Sequence, residues 1–274
     1  MTTIVWFRQD LRTSDNPALA AGAKRGAVVP LYVLDEEGRR PLGGASRWWL
    51  HHSLAALEKS LGGLVLRRGN PAQLLPQIAK AAGADRAVWN RSHEPDAIAR
   101  DEAVVEALDR AGIAVETFNG NLLHEPTEIR TQTGGPFKVY TPFWRACRTG
   151  KVAPPQRAAR PTVQIAGIAT DNMASWTLLP KKPNWAAGWD KYWTPGETGA
   201  QARLDAFLRS DLKDYVEEKT HGRIGAAAVR SISLDDIRVG GAGRVRDLIL
   251  RAQHGAPIVV NAVAESDLDT VALG

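Results

Sequence analysis

A cluster of charged residues directly follows the first apolar segment of the chain. The stretch "TIVWF" (residues 3–7) precedes Arg8, Asp10, Arg12 and Asp15. Opposite charges two positions apart can pair around a turn, and half-buried pairs of this kind contribute specificity more than stability. The spacing therefore predicts an ion-pair cluster over the strand ends, which fixes where a first strand meets a first helix.

Other side chains capable of chemistry lack the neighbours that the chemistry needs. His51 and His52 are adjacent, which is not the i, i+4 spacing of a helical metal-binding pair. Ser53 and Ser60 have no partner motif for nucleophilic catalysis. Cys147 is the only cysteine, so neither an intrachain disulfide nor a cysteine metal site is expected. The sequence therefore predicts no catalytic residue and no metal ligand.

The aromatic residues divide the chain into two parts. All nine Trp, four Tyr and five Phe lie at or before Tyr215, and residues 216–274 contain none. Trp185, Trp189 and Trp193 are four positions apart, which predicts one face of a helix packed on the preceding segment. We expect a core role for these three side chains rather than an electron relay.

The composition is typical of a globular protein. The 274 residues are 44% hydrophobic and 24% charged. No apolar run of about 18 residues is present, and four charges in the first 20 residues exclude a secretory signal. A net charge of +5 and a pI near 9.5 are compatible with a nucleic-acid partner. We expect a cytoplasmic monomer without membrane contact.

Strand and helix patterns alternate over the first part of the chain. The runs "TIVWF", "AVVPLYVL", "LVLRRG", "RAVWN" and "IAVETFNG" are separated by four helical patterns. Because these runs are continuously apolar, they predict a doubly wound α/β fold with a five-stranded parallel sheet. Ligands of such sheets bind at the carboxyl ends of the strands. No G-x-G-x-x-G follows the first run, so a standard dinucleotide site is not expected.

The character of the sequence changes near residue 131. Residues 131–198 hold eight of the sixteen prolines. The stretch "TPGETGAQARLDAFL" then predicts a helix that has Thr194 as its N-cap, Pro195 as its first residue and Glu197 as its third. After residue 220 only weak element signals remain. We therefore divide the chain into an α/β domain (1–130), a connector (131–195), the start of a helical domain (196–218) and a divergent tail (219–274).

Six segments in order resemble the DNA photolyase/cryptochrome family. They are "WFRQDLRTSDNPAL", "GASRWWLHHSLAAL", "GNPAQLLPQIA", "VWNRSHEPDAIARD", "TGGPFKVYTPFWRA" and "WTPGETGAQARLDAFL". A single short match of this kind is weak, but six in the family's order over about 215 residues are specific. The chain is identified as a member of this family.

The resemblance implies a light-driven activity. Photolyases use reduced FAD and blue light to split pyrimidine dimers in DNA, with the flavin in a helical C-terminal domain and the damaged bases flipped toward it. Tyr215 matches the tyrosine that begins the family's flavin-contacting residues. The Thr-Ser-x-Leu-Ser-Pro-x-Leu type of segment that follows in the family is missing here. We expect a truncated, inactive member whose tail comes from a frameshift or a mispredicted gene end; the alternative is a genuine short paralogue.

The resemblance also implies cofactor-binding residues in the α/β domain, where many members hold an antenna chromophore. Arg47 and Asp35 match positions that deazaflavin-binding members use. Asn90, at the end of the fourth strand, and Glu94, after it, lie in the matching segment "VWNRSHEPDAIARD". Arg47 has an alternative role as a surface arginine paired with Asp35 or Glu36.

The identity of the antenna stays open at this point. The Asn-Glu pair of folate-binding members is replaced by Asp96 and Ala97, and a further Asp of deazaflavin-binding members is replaced by Ser92. Either a folate or a deazaflavin is therefore possible.

Three classes of function remain. The first is a DNA-repair photolyase or its remnant, the second a cryptochrome-type photoreceptor, and the third a stand-alone chromophore- or nucleotide-binding module. A flavin spectrum separates the first two from the third, and dimer repair under blue light separates the first from the second.

Overall fold

Two units make up the part of the chain that the computed structural model describes. Described are residues 1–37, 41–209, 212–252, 255–262 and 265–274. The units are Met1–Gln201 and Ala202–Gly274. Within the described residues, no helix has both the length and the apolar character needed to cross a membrane.

A parallel five-stranded sheet forms the centre of the first unit, which confirms the predicted fold class. Its order is β3-β2-β1-β4-β5, and a short strand, β6, additionally pairs with the first residues of β2. The strands are β1 (Thr2–Phe7), β2 (Ala27–Leu34), β3 (Val65–Arg68), β4 (Arg86–Asn90), β5 (Ala114–Phe118) and β6 (Thr162–Val163). The chain winds outward from β1 in both directions, so the topological switch point lies between β1 and β4.

Helices cover both faces of this sheet. They are α1 (Pro17–Arg25), α2 (Gly44–Leu61), α3 (Pro71–Ala82) and α4 (Pro95–Arg110). Alternate residues of β1 point to opposite faces, so that Ile4 packs with α3 and α4 whereas Val5 packs with α1 and α2. Because both faces are buried, each strand needs apolar side chains at successive positions.

Proline and asparagine mark the starts of several helices. Asn16 caps α1 by accepting a hydrogen bond from the amide of Leu19 at 3.0 Å, and Asn70 caps α3 in the same manner. Pro17 and Pro71 then occupy the first helical positions. Proline is tolerated there because the amide it lacks would have no helical partner.

The connector contains one helix, α5 (Tyr140–Thr149), and two short 3₁₀ turns at Met173–Trp176 and Trp189–Lys191. The prediction of a helical face for Trp185, Trp189 and Trp193 is wrong, because only a 3₁₀ turn forms there. These rings pack instead on α2, where Trp189 lies 5.4 Å from Trp48 and Trp193 lies 5.8 Å from Trp49 between ring centroids.

The helix that follows the connector begins two residues later than predicted. It is α6 (Glu197–Arg209), so Pro195 is not its first residue and Glu197 is not its third. Residues 210 and 211, inside the predicted start of a helical domain, lie outside the described residues. Next comes α7 (Leu212–Lys219), which carries Tyr215.

The last part of the chain has an α/β order that its weak sequence signals do not reveal. It comprises β7 (Arg230–Ile232), α8 (Leu234–Arg238), α9 (Gly241–Leu250), β8 (Ile258–Val260) and α10 (Glu265–Leu273). β7 and β8 pair in parallel. Ile232, Ile237 and Val245 form a small aliphatic core. The tail therefore contains a β-α-α-β unit built without aromatic residues.

Candidate functional site

A cleft of about 630 Å³ opens at the carboxyl ends of β1, β2 and β4. Its walls come from the ends of these strands, the first half of α2, the start of α4 and the start of α6. This is the switch-point position at which doubly wound sheets bind ligands. Its volume lies within the range of small-molecule sites, about 300–1,000 Å³.

Two arginines flank an indole at the base of the cleft. The guanidinium carbons of Arg8 and Arg100 lie 4.8 and 5.7 Å from the ring centroid of Trp6. Arg8 Nη1 donates to both carboxylate oxygens of Asp101 at 2.6 and 2.8 Å. Arg100 lies 3.9 Å from a carboxylate oxygen of Asp35. The positive charges are thus compensated by carboxylates and fixed in position.

Tyr32 contributes a hydrogen-bond donor to the wall of the cleft. Its ring packs near Trp176, with centroids 6.2 Å apart, and 9% of the residue is exposed. Burial, with a smaller contribution from Glu36 and an opposing one from Arg100, raises the pKa of Tyr32 to about 12. No other described residue takes a hydrogen bond from its hydroxyl. The phenol therefore stays protonated at neutral pH and is free to donate to a ligand.

Trp6 carries a second donor at the base of the cleft. Its indole Nε1 is buried and finds no hydrogen-bond partner among the described residues. Buried donors of this kind are usually satisfied, so an unpaired one beside a cleft needs a physical explanation. Neither Trp6 nor Tyr32 is among the site residues predicted from the sequence. The signal was present, because both stand near the carboxyl ends of predicted strands.

The structure brings two of the predicted cofactor-binding residues into the cleft. Asp35 lies after β2 and Glu94 precedes α4, and both contribute to its walls. Arg47 lies outside these walls: its Nη1 is 3.5 Å from Glu36 Oε1 and its Nη2 donates to the Trp176 carbonyl at 3.0 Å. The sequence left Asp35 and Glu36 as alternative partners of Arg47, and the partner in the structure is Glu36.

Asn90 lies beneath the cleft rather than in its wall. It is buried, and its Nδ2 donates to Asp10 Oδ2 at 2.5 Å and to Asn16 Oδ1 at 2.9 Å. Its Oδ1 accepts from the amide of Ala18 at 3.2 Å. These bonds join the end of β4 to the start of α1. The geometry therefore gives Asn90 a positioning role in the turn that supports the cleft.

The charged turn after β1 does not form the predicted internal ion-pair cluster. Among the described residues, Arg8 pairs with Asp101 of α4, and Arg12 donates to the carbonyls of Asp15 and Gly120. Asp10 is buried and accepts from the amide of Arg8 at 2.8 Å. Two-residue spacing suggested ion pairs within the turn, but the ion pair of Arg8 reaches Asp101 of α4, and the contacts within the turn involve backbone atoms.

Glu197 ties the start of α6 to the same turn. Its carboxylate accepts from the amide and hydroxyl of Thr13 and from the amide of Ser14, each at 2.8 Å. Burial opposes ionisation, but these hydrogen bonds outweigh it and hold the pKa of Glu197 below its usual value. The sequence predicts this carboxylate as the third residue of its own helix, where it would have capped α6.

Tyr215 belongs to the second unit. Its side chain is 43% exposed, and the Lys219 ammonium lies 5.0 Å from its ring centroid. These neighbours do not enclose a flavin, so the described surroundings of Tyr215 do not by themselves fit that cofactor. Its assignment as a flavin contact stays a prediction.

Comparison with known proteins identifies relatives of this chain. The profile of the DNA photolyase family matches residues 3–161. A deoxyribodipyrimidine photo-lyase of Agrobacterium fabrum is 46% identical over 224 residues, covering 78% of this chain and 46% of the relative. Cryptochrome-2 of Arabidopsis thaliana is 35% identical over 229 residues, covering 78% and 37%.

A solved structure agrees with these matches. The bacterial class III photolyase from Agrobacterium tumefaciens superimposes with a TM-score of 0.71 at 44% sequence identity, covering 79% of this chain and 46% of that one. The chain thus spans about half the length, or less, of the curated relatives that it matches.

Proposed function

Because the chain belongs to the DNA photolyase/cryptochrome family, we propose that it takes part in blue-light, FAD-dependent splitting of pyrimidine dimers in DNA. The observation that carries this proposal is the 46% identity to a deoxyribodipyrimidine photo-lyase, compared with 35% to a plant cryptochrome. The proposed role of the first unit is to bind an antenna chromophore.

The cleft at the strand ends is the proposed antenna site. Its walls combine the aromatic rings of Trp6 and Tyr32 with the charged groups of Asp35, Glu94 and the cleft arginines. A flat heteroaromatic ring with carbonyl groups, as in a folate or a deazaflavin, matches such walls and the free donor of Tyr32. Such a chromophore would absorb near-ultraviolet or blue light and pass on the excitation energy. The protein residues hold it and exclude water from it.

The proposed divisions of the chain are an antenna-binding domain at 1–130, a connector at 131–195, the start of a flavin domain at 196–218 and a tail at 219–274. Tyr215 would contact the flavin from α7. Since this side chain is half-exposed, we propose that the 274-residue chain by itself neither encloses FAD nor splits dimers.

An absorption spectrum of the purified chain from about 300 to 500 nm tests both parts of the proposal. We expect no flavin bands near stoichiometry, and a chromophore band after incubation with methenyl-tetrahydrofolate or a deazaflavin. Flavin bands without added cofactor would contradict the proposed lack of a pocket. Failure of both chromophores to bind would contradict the antenna role.

A matched pair of variants locates the chromophore. Tyr32→Phe removes the free donor and should weaken chromophore binding by about 5- to 10-fold, since one hydrogen bond contributes about 1–1.5 kcal/mol. Tyr192→Phe removes a hydroxyl from an exposed residue and should leave the affinity unchanged. Equal affinities of the two variants would place the chromophore elsewhere.

A cryptochrome-type photoreceptor is the second candidate, favoured by the match to the Arabidopsis protein. Illumination of thymine-dimer DNA in the presence of the 274-residue chain and added FAD separates the two. Restoration of thymines supports the photolyase function, and photoreduction of flavin without repair supports the photoreceptor.

A further inference from the structure

The indole of Trp6 lies beside two positive charges. It is 2% exposed, and the guanidinium carbons of Arg8 and Arg100 lie over its ring at 4.8 and 5.7 Å from the centroid. No other tryptophan of the described residues has a cation over its ring. Loss of an electron from Trp6 would create a third positive charge at this place, and charges interact strongly where water is largely excluded. The two arginines therefore make this indole hard to oxidise.

Carboxylates hold both cations in position. Arg8 Nη1 donates to the two oxygens of Asp101 at 2.6 and 2.8 Å. Arg100 Nε lies 3.7 Å from Asp101, and its Nη1 lies 3.9 Å from Asp35. The side chains of Arg8 and Arg100 are only 9% and 15% exposed. In both ion pairs the guanidinium lies over the indole, so the ring is in contact with the positive member of each pair.

The N–H group of Trp6 adds a second obstacle to oxidation. An oxidised indole is acidic and loses its Nε1 proton readily when an acceptor is near. Trp89 and Trp176 have such acceptors, since they donate to Asp101 and Asp171 at 3.1 and 3.2 Å. The buried Nε1 of Trp6 has no partner among the described residues. Proton loss to this part of the protein therefore cannot assist the oxidation of Trp6.

The phenol of Tyr32, in the same cleft, is also kept in its less oxidisable form. Burial raises the pKa of Tyr32 to about 12, so the electron-rich phenolate is absent at neutral pH. Trp49 is a third ring in the wall, but 43% of it is exposed. The two buried rings of the cleft are thus both poor electron donors, which is a shared property of side chains that come from different strands.

We propose that Arg8 and Arg100 prevent Trp6 from quenching a light-excited chromophore in the cleft. In the step that they oppose, the indole of Trp6 gives one electron to the excited chromophore, which is thereby reduced by one electron. No proton moves, and return of the electron restores both partners and releases the excitation as heat. By disfavouring the positively charged indole, the arginines leave the excitation free to pass on. This inference rests on the proposed antenna role of the cleft.

The fluorescence lifetime of the bound chromophore tests this inference on the 274-residue chain. Wild type, Arg100→Gln and Arg100→Lys are incubated with methenyl-tetrahydrofolate or with a deazaflavin, and absorption gives the bound fraction. Arg100→Gln removes one of the two cations and should shorten the lifetime by about twofold or more. Arg100→Lys keeps the charge and should retain most of the wild-type lifetime. Equal lifetimes of wild type and Arg100→Gln would overturn the inference.

Removal of the electron donor separates quenching from altered binding. Phenylalanine is much harder to oxidise than tryptophan, so the double variant Trp6→Phe/Arg100→Gln should have the same lifetime as Trp6→Phe. Trp49 is present in all of these proteins, so its contribution is constant. A lifetime that Arg100→Gln shortens equally with and without Trp6 would contradict the inference. Normal binding with unchanged lifetimes would refute it and leave the antenna role intact, whereas absence of binding would contradict the antenna role.

A measurement without a bound chromophore tests the electrostatic argument by itself. Soluble riboflavin serves as the light-excited oxidant in air, dissolved oxygen converts the oxidised indole into stable products, and peptide mass spectrometry quantifies those of Trp6. Arg100→Gln should yield more oxidised Trp6 than wild type, and Arg100→Lys should not. Equal yields would overturn the inference whether or not the cleft binds an antenna. Arg100→Met, which keeps the apolar part of the side chain, replaces Arg100→Gln if thermal unfolding shows that the latter does not fold.

Discussion

Replacement of Asn90 tests whether this residue supports the cleft or contacts a cofactor. In the structure its side chain makes three hydrogen bonds at a buried position, to Asp10, Asn16 and the amide of Ala18. Asn90→Ala removes all three and leaves the buried Asp10 carboxylate without one of its donors. With about 1.5–3 kcal/mol for the bond to the charged group and about 1 kcal/mol for each of the others, we expect a loss of roughly 4 kcal/mol.

Thermal unfolding followed by tryptophan fluorescence measures this loss. For a unit of about 200 residues, 1 kcal/mol corresponds to roughly 2–4 °C, so the midpoint should fall by about 10 °C. Asn172→Ala provides the control, because Asn172 makes one exposed cap to Ala174 and its loss should cost about 1 kcal/mol. A fall of under about 3 °C for Asn90→Ala, together with lost chromophore binding, would refute the structural role and favour a cofactor contact.

Asn90→Asp adds a pH test to the same position. It places a second carboxyl group next to Asp10, whose Oδ2 lies 2.5 Å from the present amide nitrogen. Repulsion and burial raise the pKa of the pair in the folded state above the unfolded value of about 3.9. When the folded-state pKa of a carboxyl group is raised, the protein loses stability as pH rises above the unfolded-state pKa. The difference in stability between the Asn90→Asp variant and the wild type should therefore grow between pH 4.5 and 7. A deficit independent of pH would contradict the proximity of the two groups.

Three further substitutions test other contacts. Glu197→Gln should lower stability by about 1 kcal/mol at pH 7. Because the pKa of Glu197 is lowered in the folded protein, its carboxylate stabilises the fold above the pKa of the unfolded chain, and this stabilisation disappears as pH falls through the folded-state pKa. The unfolding midpoints of the variant and the wild type, measured from pH 3 to 7, should therefore converge in acid. Asp101→Ala leaves the largely buried Arg8 unpaired and should cost about 3–5 kcal/mol, measured by urea unfolding. Gly22→Ala places a Cβ 2.9 Å from Val5 and should cost about 1–3 kcal/mol in the same assay.

The sheet could be predicted from the sequence because its signal is local. Five continuous apolar runs alternate with helical patterns, and burial on both faces requires such runs. The starts of α1 and α3 are marked in the sequence by Pro17 and Pro71, whose fixed φ suits a first helical position. β6 was not predicted, since two residues give no periodicity and its pairing with β2 is set by tertiary contacts.

Partners within the site could be predicted only in part. Asp35 and Glu94 follow from their places at strand ends and in a family motif, and both reach the cleft. The partner of Arg47 was left between two neighbouring carboxylates, since one residue of difference decides which oxygen it faces. The partner of Glu197 could not be predicted at all. Its hydrogen bonds to Thr13 span more than 180 positions, and no sequence spacing encodes such a contact.

The tail shows how a fold can be specified without large side chains. Ser233 and Asp236 form a capping box at the start of α8, with hydrogen bonds of 3.1 and 3.0 Å between each side chain and the other's amide. Arg238 makes two bonds of 2.9 Å to the buried Asp267 of α10. Both devices are polar, and the second joins residues 29 positions apart, so hydropathy along the sequence gives little sign of them.

The turn after β1 explains how these separate parts come to form one cleft. Its arginine Arg8 binds α4, its backbone at Thr13 binds the start of α6, and its Asp15 binds the connector at Gln156. Asn90 joins the same turn to β4 from below. A charged turn at the end of the first strand therefore connects β4, α4, the start of α6 and the connector. Because Arg8 pairs with α4 and Thr13 binds Glu197, the turn fixes two of the cleft walls, the starts of α4 and α6, relative to the end of β1.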